Sequence, residues 1–275
     1  MSAPTILLNN GKPIPQIGFG TSPLNDTEVA PLVVAAIETG YRHIDTAYRY
    51  HNEKGVGQGI RDSGIERESL FVTTKLDGQF QGDDRAISGL NESLQRLGLD
   101  YVDLLLIHWP LPQRDEYIST WKTFEKLVAA GKAKSIGLSN FKPAHIDRLL
   151  AEASIRPTIN QIQLNPRVTR PEQRAYNTKQ GIVTEAWSPL GAGNDLLENP
   201  TLAAIGAKYG KTPGQVVLRW HIELGIVTIP RSANPDRIAQ NIDIFDFELT
   251  TDEINALSAL DTGEEQGVDS DKAGH

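Results

Sequence analysis

The sequence predicts an α/β protein, a single (β/α)8 barrel of the TIM type with an N-terminal β-hairpin. Three observations support this prediction. Eight short β-rich runs recur along the chain, segments of helical period separate them, and no linker or change of composition divides the 275 residues. Barrels of this class form one domain at about 250 residues, so the length is compatible with a single domain.

The chain opens with a hairpin signal. Two short runs, 5–8 and 13–19, flank the turn Asn9-Asn10-Gly11-Lys12. An Asn-Gly pair readily adopts the positive φ angles that a tight hairpin turn requires. We therefore expect an antiparallel pair of strands before the barrel begins.

The eight barrel strands are predicted from runs rich in β-branched and other apolar residues. They are expected at 17–21, 42–45, 70–74, 102–107, 133–138, 159–162, 182–184 and 226–229. Helical period is clear at 84–97 and at 118–130, and Gly131 is a residue typical of helix C-termini. The pattern alone also allows a doubly wound open sheet, because both folds repeat the same βαβ unit.

The last stretch, 261–275, contains five acidic residues and one lysine, with almost no apolar side chains. A segment of this composition buries too little apolar surface to order itself. We therefore expect one domain over 1–275 with a mobile acidic tail from about residue 262.

Composition and charge exclude several classes of function. The chain has no cysteine, which rules out disulfides and thiolate chemistry, and its net charge of −8 argues against nucleic acid or an anionic membrane as partner. It has no apolar run long enough to span a bilayer and no secretory signal. The six histidines lack metal-binding spacings, so no metal is expected. We expect a cytoplasmic monomer that acts on a small molecule.

Four polar residues are placed where a barrel enzyme carries its active site, at the C-terminal ends of strands. Asp45 ends the second predicted strand, Lys75 and His108 directly follow the third and fourth, and Tyr50 lies in the loop after the second. Hydride transfer to a carbonyl leaves an alkoxide that needs a proton, and a tyrosine can donate it. A lysine held by a carboxylate would make that proton easier to lose, and an imidazole would orient the carbonyl oxygen.

Four motifs resemble signatures of the aldo-keto reductase family in the same order. The segment 45–53 matches the family pattern Asp-x-Ala-x-x-Tyr-x-Asn-Glu, and 106–110, 137–141 and 229–232 resemble three more. The resemblance covers about 18–261 and is strongest to short bacterial members of the diketogluconate reductase type. It implies NADPH-dependent reduction of small aldehydes, α-dicarbonyls or keto-sugars. It assigns the catalytic roles to Asp45, Tyr50, Lys75 and His108, with Tyr50 as proton donor.

The same resemblance assigns residues to the cofactor NADPH. The nicotinamide would contact Ser139, Asn140, Gln161 and Trp187, and the pyrophosphate would lie along the loop 188–193, which includes Ser188, Leu190 and Gly191. The adenosine and its 2′-phosphate would contact Pro230, Arg231, Ser232, Arg237, Gln240 and Asn241. The family often has Lys at position 231 and an acid at 240, so Arg231 keeps the charge while Gln240 departs from the pattern.

An apolar mouth is expected to receive the substrate. Its predicted lining is Pro23, Leu24, Tyr48, Phe80 and Trp109. Because the segment after Trp109 and the C-terminal segment are both short, we expect a shallow, permissive site.

Three rival interpretations of these residues are possible. Gly55-Val56-Gly57-Gln58-Gly59 has the spacing G-x-G-x-G rather than that of a dinucleotide-binding loop, so we expect these glycines to let a helix sit close to the barrel. A barrel glycosidase could use Asp45 and Glu185 as its two carboxylates. A regulatory protein could bind NADPH without catalysis, although the intact set of four catalytic residues favours a reductase.

Overall fold

The computed structural model describes residues 3–193, 195–263 and 266–275. The predicted hairpin is confirmed: β1 (Thr5–Leu7) pairs antiparallel with β2 (Pro13–Pro15). The turn between them is tied to the barrel, since Asn9 Nδ2 donates to the carbonyl of Pro157 at 2.8 Å. The hairpin therefore covers the end of the barrel at which the strands begin.

Eight parallel strands follow, each paired with the next along the chain. They are β3 (Phe19–Gly20), β4 (His43–Asp45), β5 (Phe71–Leu76), β6 (Val102–Ile107), β7 (Ala133–Ser139), β8 (Ile159–Gln163), β9 (Val183–Trp187) and β10 (Val227–Thr228). The first and last strands are joined by backbone hydrogen bonds, from Gly18 N to Thr228 O at 2.9 Å and from Gly20 N to Pro230 O at 3.0 Å. The predicted barrel is confirmed, and the open-sheet alternative is excluded.

Helices surround these strands. In the described residues they are α1 (Asp26–Thr39), α2 (Glu53–Asp62), α3 (Arg85–Leu97), α4 (Tyr117–Ala129), α5 (Pro143–Leu150), α6 (Pro171–Lys179), α7 (Pro200–Tyr209), α8 (Pro213–Glu223), α9 (Pro235–Ile242) and α10 (Thr251–Ser258). Helices α5 to α9 each begin with proline, whose fixed φ suits the first helical turn. Gly131 follows α4 with a φ of 73°, as its sequence position suggests. None of the helices in the described ranges is both long and apolar enough to cross a membrane.

The glycines at 55, 57 and 59 lie within α2 and allow the close packing that was predicted, but against the neighbouring helices α1 and α3 rather than against the strands. A side chain at Gly55 or Gly59 would meet the backbone of α1, and one at Gly57 would meet the main chain of Leu97 at the end of α3. These glycines are therefore packing residues and do not form a phosphate-binding loop.

The inside of the barrel changes character along its axis. Near the hairpin it is apolar, with Leu104, Leu106, Ile159 and Val227 clustered under Ile14. Toward the strand C-termini the buried side chains are polar: His43, Asp45, Thr73, Lys75, Gln161 and Glu185. Buried polar groups persist only where partners satisfy them, so this layer marks the end of the barrel that carries the chemistry.

The C-terminal segment differs from the predicted mobile tail. Glu264 and Glu265 lie outside the described residues, but 266–275 pack against the barrel. Lys142 Nζ donates to both Asp269 and Asp271 at 2.5 Å, and Val268 N donates to the Gln163 side chain at 2.8 Å. The local composition of the tail did not reveal this, because its partners belong to distant elements.

Candidate active site

The four predicted catalytic residues converge at the C-terminal end of the barrel. Asp45 ends β4, Lys75 lies near the end of β5, His108 follows β6, and Tyr50 ends a single 3-10 turn after β4. Lys75 Nζ donates to Asp45 Oδ1 at 2.5 Å, to the carbonyl of Thr46 at 3.0 Å and to Tyr50 Oη at 3.3 Å. All three ammonium hydrogens have partners, which fixes Lys75 beside the Tyr50 hydroxyl.

Lys75 remains protonated and positively charged in its buried pair with Asp45. Burial lowers the pKa of Lys75, but the Asp45 carboxylate outweighs burial and holds that pKa above its ordinary value. Burial raises the pKa of Asp45, and the hydrogen bonds from Lys75 and Gln161 oppose that rise. The site therefore keeps a cation directly next to Tyr50.

Burial changes the pKa of Tyr50 more than the charge of Lys75 does. It raises the pKa of the phenol, while the charge of Lys75 acts in the opposite direction and offsets only part of the rise. From the sequence, Lys75 was expected to make this proton easier to lose. Lys75 acts in that direction, but burial decides the net change in the pKa of Tyr50. At neutral pH Tyr50 is protonated, which is the form that can donate.

His108 is a neutral imidazole facing the Tyr50 ring. Burial, with help from the charge of Lys75, holds its pKa well below the ordinary value of 6.5. The two ring centroids are 5.8 Å apart, and neither ring nitrogen hydrogen-bonds another described residue. His108 is thus free to hydrogen-bond a ligand next to the Tyr50 hydroxyl.

A second layer of polar residues supports Asp45 from below. Gln161 Nε2 donates to Asp45 Oδ2 and to Glu185 Oε2, both at 2.9 Å. Burial, and then the charge of Asp45, raise the pKa of Glu185 to about 8, so this carboxyl is protonated at neutral pH. The pKa of His43, whose Nε2 is 3.8 Å from Glu185 Oε1, is lowered to about 3 by burial, so the contact is not an ion pair.

This layer does not support the glycosidase interpretation. Asp45 and Glu185 are fully buried and share one amide nitrogen, whereas glycosidase carboxyls lie on either side of a sugar. Ligand atoms of His43, Asp45 and Glu185 also come within 4.8 Å of one another, as a metal site would require. However, Lys75 and Gln161 already bind both oxygens of Asp45, so we do not interpret this cluster as a metal site.

A cavity of about 700 Å³ opens above these residues. It brings together most of the residues predicted from the sequence. Its lining includes Asp45, Tyr50 and His108, the predicted cofactor residues Ser139, Asn140, Gln161, Trp187, Ser188, Leu190, Pro230, Arg231 and Arg237, and the predicted substrate residues Pro23 and Trp109. Lys75 lies beneath it, against Asp45 and Tyr50.

Four predicted cofactor residues are absent from the described lining: Gly191, Ser232, Gln240 and Asn241. Gly191 directly follows Leu190, which does line the cavity. Ser232 is mostly buried, and its Oγ accepts from Asn234 N at 3.0 Å just before α9. Gln240 and Asn241 lie in the last turn of α9.

Three predicted substrate residues, Leu24, Tyr48 and Phe80, also fall outside the described lining. Leu24 is buried in the main core. Tyr48 points toward α3, where its hydroxyl donates to Glu92 at 2.9 Å and the Arg96 guanidinium lies 3.9 Å from its ring centre. Phe80 packs on Tyr48 with ring centroids 4.8 Å apart. Both aromatic rings therefore belong to the outer packing of the barrel.

The cavity also has lining residues that the sequence argument did not select: Gly20, Thr21, Ser22, Leu197, Ile229 and His275. Gly20 ends β3 and Thr21 and Ser22 follow it, so the strand-end rule applied to the first strand would have found them. The His275 ring lies 5.0 Å from that of His108 and 6.1 Å from that of Trp109. The sequence contains no local signal for this contact, because it depends on how the tail is held.

One wall of the cavity is prearranged around Asn140, which has a φ of 65°. Its Nδ2 donates to the carbonyl of His108 at 3.0 Å, and its Oδ1 accepts from Trp187 Nε1 at 2.9 Å. These bonds fix the Trp187 indole where it lines the cavity. A flat aromatic wall thus lies beside a group of amide and hydroxyl side chains.

The opposite end of the cavity is basic. Arg231 and Arg237 both line it, and Arg231 Nε donates to the carbonyl of Ser22 at 3.2 Å. Neither guanidinium forms an ion pair with an acid in the part of the chain that the structure describes. Guanidinium groups without a counter-ion are suited to binding a phosphate, because they offer paired N–H donors and a permanent charge.

Comparison with known proteins places this site in a family. Residues 16–262 match the model of the Aldo/keto reductase family. The chain is 48% identical to an aldo-keto reductase of Mycolicibacterium smegmatis over 97% of both chains, and 46% identical to glyoxal reductase of Bacillus subtilis over 98% of this chain and 96% of that one. It also superposes on the Bombyx mori aldo-keto reductase solved in complex with NADP, with a TM-score of 0.89, 42% identity and coverage of 95% and 94% of the two chains. The chain belongs to the aldo/keto reductase family, as its four motifs predicted.

Proposed function

We propose that this protein uses NADPH to reduce small carbonyl compounds to alcohols, with Tyr50 as the proton donor. Aldehydes, α-dicarbonyls and keto-sugars are the expected substrate classes. The observation that carries the proposal is the contact of Lys75 with Tyr50 Oη at the floor of the cavity, beside a neutral His108. The glyoxal reductase relative favours α-dicarbonyls among these classes.

The residues present fit NADPH. Ligand cavities are commonly about 300–1,000 Å³, and this one has about 700 Å³. Arg231 and Arg237 at one end would hold the 2′-phosphate, and Ser139, Asn140 and Gln161 at the other would hold the nicotinamide carboxamide, with Trp187 against the ring. When bound, the cofactor supplies the hydride.

The four residues at the cavity floor then have separate tasks. His108 hydrogen-bonds the carbonyl oxygen and orients it toward Tyr50. The Tyr50 hydroxyl gives its proton to the oxygen that becomes negative during reduction, and the Lys75 ammonium stabilises the phenolate that remains. Asp45 keeps Lys75 charged and in place, so the stabilising charge is present before reaction begins.

The proposal is tested by measuring how fast purified protein oxidises NADPH in the presence of each of a panel of carbonyl compounds. The oxidation is followed by the loss of NADPH absorbance. The panel contains glyoxal, methylglyoxal, phenylglyoxal, a nitrobenzaldehyde, a keto-gluconate and an aldose. We expect the dicarbonyls to be reduced fastest and the aldose slowest. Tight NADPH binding without turnover of any compound would instead favour a regulatory protein, and no NADPH binding would contradict the proposal altogether.

A further inference from the structure

Glu185 is a buried carboxyl to which the mechanism above gives no task. It lies on β9, and no part of its side chain is exposed. Its Oε2 accepts from Gln161 Nε2 at 2.9 Å, and Oε1 has no hydrogen-bond partner among the described residues. Burying a carboxyl is costly, so its presence under the active site calls for a reason.

The reason lies in the side-chain amide of Gln161. Its two N–H bonds are both taken, one by Asp45 Oδ2 and one by Glu185 Oε2, each at 2.9 Å. A carboxylate such as Asp45 accepts hydrogen bonds only, so the NH2 group of Gln161 must face inward. The amide oxygen is then left on the side of the cavity, which Gln161 lines.

We propose that Glu185 is a positioning residue that, together with Asp45, fixes the Gln161 amide with its oxygen toward the cavity. The cavity wall then offers an acceptor at this point, where a flipped amide would offer a donor. Resting on the proposed function, this assigns the Gln161 oxygen to the NH2 group of the nicotinamide carboxamide. A protonated Glu185 adds no second negative charge beside Asp45 and still accepts through Oε2.

Without an acceptor at position 185, one N–H of Gln161 would be buried and unpaired. The amide would then rotate to find another partner, and the alignment of its oxygen with the cofactor would be lost. This effect is confined to the nicotinamide half of NADPH, because the basic end of the cavity is formed by Arg231 and Arg237, which do not contact Glu185 or Gln161.

The test compares Glu185→Met with Glu185→Gln. Methionine is unbranched and of similar size but offers no comparable acceptor, whereas glutamine keeps an acceptor oxygen. Dissociation constants are measured by fluorescence titration for NADPH and for 2′-phospho-ADP-ribose, which lacks the nicotinamide. We expect E185M to weaken NADPH binding by about tenfold, as the loss of one hydrogen bond would, and to leave the binding of 2′-phospho-ADP-ribose unchanged. E185Q should bind both within about threefold of the wild type.

Glu53→Gln is the matched control. Glu53 is also a fully buried carboxyl, but it accepts from Thr74 at 2.6 Å and from Arg96 at 2.9 Å and does not contact Gln161. This variant should change thermal stability without changing the affinity for NADPH relative to that for 2′-phospho-ADP-ribose. Gln161→Met supplies a second test if E185M does not fold, since it should show the same selective loss of NADPH affinity.

Each outcome is distinct. Glu185 is structural and the inference is wrong if E185M weakens the binding of both ligands equally. The same follows if E185Q loses as much NADPH affinity as E185M. Unchanged NADPH affinity in E185M would overturn the inference as well, and so would unchanged affinity in Gln161→Met. If the wild type binds 2′-phospho-ADP-ribose but not NADPH, the proposed function fails instead.

Discussion

Lys75 shows how individual residues define this site. It is fully buried, yet it bonds Asp45, Thr46 and Tyr50, so neither its position nor its charge can vary. Its place in the site could be predicted from the sequence, because a lysine directly after the β-rich run 70–74 lies where a barrel enzyme carries its active site. The burial that raises the pKa of Tyr50 could not be predicted, since it depends on how the loop after β4 folds over the barrel.

The basic end of the cavity gives a prediction for Arg231. Replacing it with alanine removes a permanent cation from the proposed 2′-phosphate site, and NADH has no such phosphate. Arg231→Ala should therefore raise the Kd for NADPH by about ten- to a hundredfold and change that for NADH little. Titration of both cofactors checks this, and equal loss for both would show that the 2′-phosphate binds elsewhere.

At the scale of elements, the packing of α2 was predicted from its glycines and can be tested at Gly57. A methyl group there would overlap the main chain of Leu97. Gly57→Ala should lower the free energy of unfolding by about 1–3 kcal/mol, the usual cost of overpacking. Urea denaturation measures this. Lys54→Ala, at an exposed position of the same helix, should stay within about 0.5 kcal/mol of the wild type, and equal effects of the two would contradict the packing argument.

The C-terminal segment could not be predicted from its own residues. Asp269 and Asp271 contact Lys142, which directly precedes α5, and Asp271 also contacts His145 on α5, more than a hundred residues earlier in the chain. The composition of this segment alone is acidic and predicts a mobile tail exposed to solvent. The same limitation explains Tyr48 and Phe80, whose neighbours on α3 could not be inferred from the loop sequences.

The ion pairs of Lys142 predict how the tail is held. Lys142→Met should release 266–275 and weaken the bond from Gly78 N to the carbonyl of His275, which is 3.1 Å long. Hydrogen exchange at the Gly78 amide should then become several-fold faster, as it should in the wild type at high salt. Lys122→Met removes a comparable exposed pair with Glu152 and should leave Gly78 unchanged. Identical exchange in all three proteins would show that the ion pairs do not hold the tail.

For the whole molecule, the alternation of β-rich and helical segments was sufficient to predict the barrel. Closure between β3 and β10 was not visible in the sequence, because those strands are only two residues long and rely on backbone bonds beyond their ends. The buried polar layer was visible only in part. Strand-end residues such as Asp45 were found. His43, which lies deeper, was given no role, and Glu185 was considered only as a carboxylate of the rival glycosidase.

Three buried titratable groups, His43 and Glu185 in the polar layer and His221 on α8, predict a stability maximum near pH 6.5. Burial lowers the pKa of His43 to about 3 and of His221 to about 4, so below pH 6.5 the unfolded chain binds protons that the folded chain does not. Each histidine then lowers stability by about 1.4 kcal/mol per pH unit on acidification. Glu185, with its pKa raised from 4.5 to about 8, stabilises the fold below pH 4.5 and loses that contribution as the pH rises to 8.

Between pH 4.5 and 6.5 the histidines outweigh Glu185, and between 6.5 and 8 Glu185 acts without them. Stability measured by urea denaturation should therefore fall in both directions from about pH 6.5. Glu185→Gln should abolish the decline between pH 6.5 and 8 and leave the acidic decline intact. An unchanged alkaline decline in that variant would show that another group titrates there.

The central claim, that Tyr50 donates the proton during carbonyl reduction, is tested most directly by Tyr50→Phe. This change removes one hydroxyl from the floor of the cavity and leaves the ring and the cofactor contacts in place. Turnover of methylglyoxal and the Kd for NADPH are measured on the same preparation. We expect turnover to fall by at least about a hundredfold while the Kd stays within about twofold. Turnover close to that of the wild type would contradict the account.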